Sequence, residues 1–176
     1  MDKGRSILLL NGPSSAGKTT LAHEIQAHTP SDWYWLPLDA FFDAVPSRLW
    51  DRDESAGFRM AYNLHHDCVK LANDRGLNVI VDTVICGRDT FAALGRCLAG
   101  YDVTMVKVTC PVEELNRREL AWGDRDIGLA AGQVDNLVPQ TCTTSSSTPP
   151  CCRPRNAPAV SSRCWTARRR PQRFAR

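Results

Sequence analysis

Two glycines bracket four small residues directly ahead of a lysine and a threonine in Gly12-Pro13-Ser14-Ser15-Ala16-Gly17-Lys18-Thr19. Glycines at those places let the backbone turn tightly enough for consecutive amides to aim at one anion. An ammonium at the next position reaches a polyphosphate, and the hydroxyl after it suits a hard divalent cation. The pattern reads as a nucleoside-triphosphate loop, with Gly12, Pro13, Ser14, Ser15, Ala16, Gly17, Lys18, Thr19 and Thr20 as the candidate ATP-binding residues. The competing reading is an ordinary turn, and the flanks argue against it. Ser6 to Asn11 is a short apolar run suited to a buried parallel strand, and Thr20 to Gln26 opens a helix with Leu21 and Ile25 on one face.

Three more groups carry types that suit phosphoryl transfer. Asp39, in Leu38-Asp39-Ala40-Phe41-Phe42, can orient an attacking hydroxyl and take its proton, or else cap the following turn. Asp82, at the end of Asn78-Val79-Ile80-Val81-Asp82, is placed to hold Mg²⁺ through a water together with the Thr19 hydroxyl, or else to shape a turn. Arg118 and Arg125, in Arg117-Arg118-Glu119-Leu120-Ala121-Trp122-Gly123-Asp124-Arg125, can close as a lid over the transferring phosphoryl group; alone they would read as a solvated helix end.

The elements that must position these groups alternate. Trp33 to Leu38 forms a second strand, about Ala56 to Asp74 a helix with Phe58, Ala61, Leu64, Cys68 and Leu71 on its apolar stripe, and Gly76 its C-cap. Asn78 to Asp82 is the third strand, Thr90 to Leu98 a helix, Val103 to Val108 the fourth strand, and Pro111 opens a helix through Leu120. Strands separated by helices give an α/β fold, a parallel sheet covered on both faces, with chemistry at the carboxyl ends of the strands.

The 176 residues suit one domain, but charge divides them near Gln140. Residues 1–140 have a net charge of −5, whereas residues 141–176 carry eight arginines and no acid. No run approaches the roughly 20 apolar residues of a membrane span, and Ile7 to Leu10 is too short for a signal-peptide core, so a soluble, cytoplasmic chain is expected. Cys68, Cys86, Cys97 and Cys110 read as buried free thiols. His23, His28, His65 and His66 read as ordinary helix surface.

Taken together, Leu9-Leu10-Asn11 with the loop, Leu38-Asp39, Val79-Ile80-Val81-Asp82, Cys110-Pro111-Val112-Glu113, Arg118-Glu119 with Gly123-Asp124-Arg125, and Gly128-Leu129-Ala130 to Gln133 resemble the chloramphenicol phosphotransferase-like family over residues 5–138. The resemblance implies a P-loop kinase fold that moves the ATP γ-phosphate to a hydroxyl of a small molecule, with Asp39 matching the family's base. It leaves the acceptor open. Trp122 stands where family members tend to have arginine, and Ala131 where they tend to have a basic residue.

The resemblance also implies a fifth, edge strand and a closing helix beyond Val138, where this chain has Thr141-Cys142-Thr143-Thr144-Ser145-Ser146-Ser147-Thr148-Pro149-Pro150. Moving every codon boundary back by one base turns that run toward an Asp-aliphatic-Asp-Thr-Ser strand, which a one-base frameshift or sequencing error near Val138 to Gln140 would explain. Residues 1–140 are then a phosphotransferase domain lacking its last edge strand and final helix. Residues 141–176 form a disordered tail with five prolines. Arg168-Arg169-Arg170 reads as out-of-frame translation rather than a nucleic-acid contact, and Cys142, Cys151, Cys152 and Cys164 lack zinc-ligand spacing. The expected activity is ATP- and Mg²⁺-dependent small-molecule O-phosphotransfer, of the kind that modifies an antibiotic. The alternatives are a kinase for another metabolite and a nucleotide-binding remnant without turnover.

Overall fold

The computed structural model describes residues 5–122, apart from the side chain of Trp122, and 128–137. Four parallel strands are present, β1 (Ile7–Asn11), β2 (Trp33–Pro37), β3 (Asn78–Thr83) and β4 (Val103–Lys107), in the order β2-β3-β1-β4. Helices follow them as α1 (Lys18–His28), α2 (Leu38–Asp43), α3 (Ser47–Arg52), α4 (Glu54–Asp74), α5 (Arg88–Cys97), α6 (Val112–Trp122) and α7 (Leu129–Val134).

Strand alternation sends apolar side chains to both faces of the sheet. Ile7 and Leu9 of β1 join Val79 and Val81 of β3, with Val69 of α4 and Leu94 of α5, in one cluster. Leu10 and Ile80 turn the other way, onto Ala22, Leu21 and Ile25 of α1. Each fully buried aliphatic side chain contributes about 1.5–3 kcal/mol, so these two layers fix the strand order and, with it, the loops at the carboxyl edge. The α/β class, the parallel sheet and the helices on both faces match the expectation. Among the described residues the sheet ends at β4.

Register brings the strand ends into line. Asn11 lies opposite both Thr83 and Lys107, and Pro37 lies opposite Asp82. The first residues beyond β1, β2 and β3 therefore share one edge.

Local boundaries depart from expectation in instructive ways. The long helix starts at Glu54, because the Asp53 side chain accepts the Ala56 amide at 2.9 Å as an N-cap. Its buried stripe is Gly57, Ala61, His65, Val69 and Asn73; Leu64 and Leu71 are exposed. The stripe is rotated because His65, only 1% exposed, takes a core place by hydrogen bonding through Nε2 with the Leu36 carbonyl oxygen, 3.1 Å away. Burial lowers the pKa of His65 against that hydrogen bond, and burial beside His65 and Lys70 lowers His66 to about 4. His65 is thus a core residue and not helix surface. Cys68, Cys86, Cys97 and Cys110 are free, but only half-buried.

The second strand ends at Pro37, and Leu38 already opens α2. Phe42, Val45 and Leu49 of the α2–α3 segment pack with Ala61 into a small core, flanked by Trp50, Phe58 and Tyr62. The helices α2, α3 and α7, six residues each, are too short to carry a periodic signal in the sequence.

Candidate active site

The loop between β1 and α1 is shaped by sterics before chemistry enters. Gly12 is buried against the chain leaving β4, where a Cβ would collide with the Val108 carbonyl. Gly17, the N-cap of α1, has φ 97°, and Ser15 has φ 61°. Left-handed residues alternating with right-handed ones curl backbone N–H groups into a concave donor surface, and holding a serine there costs about 1–3 kcal/mol, a strain typical of ligand cradles. The loop leads directly into the first turn of α1, whose amides and dipole favour an anion.

Lys18, Thr19 and Asp82 converge beside that loop. Lys18 Nζ donates to the Pro13 carbonyl oxygen at 2.9 Å and lies 3.8 Å from Asp82 Oδ1; Asp82 Oδ2 accepts the Thr19 hydroxyl at 2.8 Å. Lys18 is 8% and Asp82 9% exposed. With so little water around it, this ion pair is screened far less than a surface pair. A hydroxyl and a carboxylate on adjoining elements suit Mg²⁺, which takes oxygen ligands. Among the described residues no three His, Cys, Asp or Glu side chains cluster as metal ligands would. A cation here would therefore complete its shell with phosphate oxygens and waters, which is how Mg²⁺ commonly binds.

Asp39 is the second residue of α2, two residues beyond the Pro37 that faces Asp82 across the β2–β3 ladder. It is exposed, on the same sheet edge as the loop. Arg125 lies outside the described residues, as do the side chain of Trp122 and residues 138–176.

Arg118 reaches the loop from α6. Its Nη1 donates to the Ser15 carbonyl oxygen at 3.0 Å, while Nε donates to Glu114 Oε1 at 2.7 Å. Arg117 grips the same carboxylate through two 2.7 Å hydrogen bonds. Bonds first from Arg117 and then from Arg118 hold Glu114 down at about 2, so it stays charged and keeps Arg118 extended toward the loop.

Three supporting residues entered the sequence reading only as parts of the family resemblance, without a role. Asn11 is completely buried, and its Oδ1 accepts the Ile85 amide at 2.8 Å, clamping the end of β1 to the chain leaving β3. Glu119 is also completely buried, and its carboxylate accepts the Gly128 and Ala130 amides, each at 2.8 Å, at the start of α7. Gln133 of α7 then accepts the Ser14 amide on Oε1 at 2.7 Å. The sequence signals were a lone asparagine ending an apolar strand, a glutamate on the apolar side of α6, and a glutamine among small residues. None of them says which distant backbone it serves.

The site agrees with wider likenesses. The sequence profile of the chloramphenicol phosphotransferase-like proteins matches residues 5–141. The chain belongs to that family. A curated protein of Mycobacterium tuberculosis (strain ATCC 25618 / H37Rv), named "Putative O-phosphotransferase", is 32% identical in an alignment 158 positions long that covers 76% of this chain and 70% of that one. Solved folds are similar too. A tunicamycin resistance protein of Deinococcus radiodurans superposes with a TM-score of 0.57 at 19% identity over 74% of this chain and 79% of its own. A sugar kinase from Janibacter sp. HTCC2649 gives 0.55 at 19% identity, over 80% and 82%. The shikimate kinase of Acinetobacter baumannii gives 0.52 at 19% identity, over 77% and 73%. These structures show a shared kinase fold, and family membership makes the chain a phosphotransferase of the kinase type.

Proposed function

We infer that this family member transfers the γ-phosphate of ATP to a hydroxyl of a small molecule. The observation that carries the reading is the meeting of Lys18, Thr19 and Asp82 beside the strained loop, at 3.8 and 2.8 Å. Loop residues Gly12 to Thr20 cradle the triphosphate with backbone amides, Pro13 having no N–H and Ser14 giving its own to Gln133 Oε1, and Lys18 leaves Pro13 to neutralise the phosphate oxygens. The Thr19 hydroxyl and, through a water, the Asp82 carboxylate would hold Mg²⁺, which would supply neutralisation of phosphate charge.

Asp39 takes the proton of the acceptor hydroxyl as its oxygen bonds to the γ-phosphorus. The bond from that phosphorus to the β–γ bridging oxygen breaks, and ADP leaves. Arg118 and Arg125 balance the charge spreading over the moving phosphoryl oxygens. The chemistry asks only for an alcohol beside Asp39, so the acceptor class is small hydroxyl compounds handled in the cytoplasm, with the primary alcohol of chloramphenicol the first to try.

Calorimetry with ATP and Mg²⁺, followed by acceptor-dependent ADP release over a panel of alcohols, tests the reading; ATP binding together with release stimulated by one alcohol supports it. A second reading rests on the end of the family match at residue 141. If this chain binds ATP without turnover while a frame-restored chain turns over, it is a nucleotide-binding remnant.

A further inference from the structure

Gln133 has a bonding pattern that its packing role leaves half explained. The side chain is 1% exposed, and its Oε1 accepts the Ser14 amide at 2.7 Å. A backbone N–H can only donate, so that bond fixes which end of the carboxamide faces Ser14 and turns Nε2 away from it. Nε2 is buried and has no hydrogen-bond partner among the described residues. Leaving a buried donor unmade is costly, so each such group in a folded protein calls for a reason, such as a functional role, a water or an ion.

The placement is held from two sides. Glu119 pins the start of α7 through the Gly128 and Ala130 amides, and the adjacent residue, Arg118, binds the loop at Ser15. Nε2, on the same carbon as the Oε1 that Ser14 holds, is therefore kept close to the opening half of the phosphate loop. Lys18 and Thr19 occupy the other half, at the head of α1.

We propose that Gln133 is a ligand of the terminal phosphate. Its Oε1 holds Ser14 while its Nε2 donates to an oxygen of the γ-phosphate, which a nucleoside diphosphate lacks. This rests on the reading of the loop as a triphosphate site. The contact makes α7 a discriminator of charged from spent nucleotide. Through Glu119, it links that discrimination to the helix carrying Arg118.

Gln133→Glu separates the two halves of the carboxamide. A carboxylate still accepts from Ser14 but offers an anion where Nε2 donates. Calorimetry of the full chain with ATP and with ADP, each with Mg²⁺, should show triphosphate affinity falling about ten-fold or more in Gln133→Glu while ADP affinity changes less than about two-fold, the loss of one charge-assisted hydrogen bond. An unchanged ATP-to-ADP affinity ratio, or equal losses for both, overturns the proposal. If neither nucleotide binds the unaltered chain, the triphosphate reading falls and the proposal with it.

Should Gln133→Glu fail to fold, the unaltered protein answers by nitrogen-15 NMR. The Gln133 side-chain amide resonance is expected to move on adding a non-hydrolysable ATP analogue and not on adding ADP. Movement of the loop amides with that resonance unmoved by the triphosphate overturns the proposal while leaving the triphosphate site standing.

Discussion

The Thr19 hydroxyl of α1 donates to Asp82 Oδ2 of β3 across 2.8 Å, tying the head of the loop helix to the end of a central strand 63 residues later. Both groups are oxygen donors to a hard cation, and the sheet brings them together: β1, which feeds the loop, pairs with β3 over its whole length. The same hydrogen bond that positions the hydroxyl also orients the carboxylate. Disturbing either side therefore disturbs both.

Asp82→Asn keeps the shape but removes the charge that faces Lys18 and, on the proposed function, would face Mg²⁺. Turnover should fall about 100-fold or more, with weakened Mg²⁺ dependence, since electrostatic groups at a phosphoryl site commonly supply a few kcal/mol. Steady-state kinetics against Mg²⁺ concentration checks this; a variant with the unaltered Mg²⁺ curve contradicts the assignment.

Asp39→Asn tests the base. Loss of a positioned general base typically costs about 10²–10⁴-fold in rate. ATP affinity should be retained, because Asp39 lies on α2 rather than on the loop. If ATP affinity and kcat decline together, Asp39 serves nucleotide binding instead.

Much of this architecture was legible in advance, for reasons that differ by residue. The loop could be read because its chemistry is local: Gly12, Gly17, Lys18 and Thr19 lie within eight residues and carry their own steric logic. Strands β1, β3 and β4 announced themselves as short apolar runs between turns. The α4 stripe was misjudged because Leu64 and Leu71 fit a helical period, whereas the fold buries His65 through one hydrogen bond to Leu36 and leaves those leucines exposed. Glu119 and Gln133 were legible only as parts of a family pattern, not in their contacts, because their partners, Gly128, Ala130 and Ser14, are backbone amides, and a backbone amide has no residue type to read.

Acid should act on Glu114 in a defined window. Its pKa is lowered to about 2 in the folded chain, from an ordinary value of 4.5, by Arg117 and then Arg118. A depressed carboxylate contributes stability that is fully present above its unfolded pKa and is lost as pH falls through the folded one. Urea melts of the unaltered chain should therefore lose stability between about pH 4.5 and 2, and Glu114→Gln should lose less over that interval. Equal slopes would mean that the Glu114 pairs add nothing to the fold.

His66 sets a second, higher window. Burial lowers it to about 4, so below its ordinary 6.5 the unfolded chain takes up a proton that the folded chain resists. Stability should decline as pH drops from about 6.5 toward 4, and His66→Gln should flatten that decline. The pH dependence of the urea midpoint reports it; an identical profile in the variant removes His66 as the cause.

The central claim is that Lys18, Thr19 and Asp82 hold a triphosphate whose end is passed to an alcohol beside Asp39. Its most direct measurement uses ATP radiolabelled on the γ-phosphate, with Mg²⁺ and chloramphenicol or another hydroxyl acceptor, followed by separation of the products. The account predicts label on the acceptor oxygen with the unaltered chain and none with Lys18→Ala. Label that appears only as inorganic phosphate, at a rate indifferent to every alcohol offered, would contradict it.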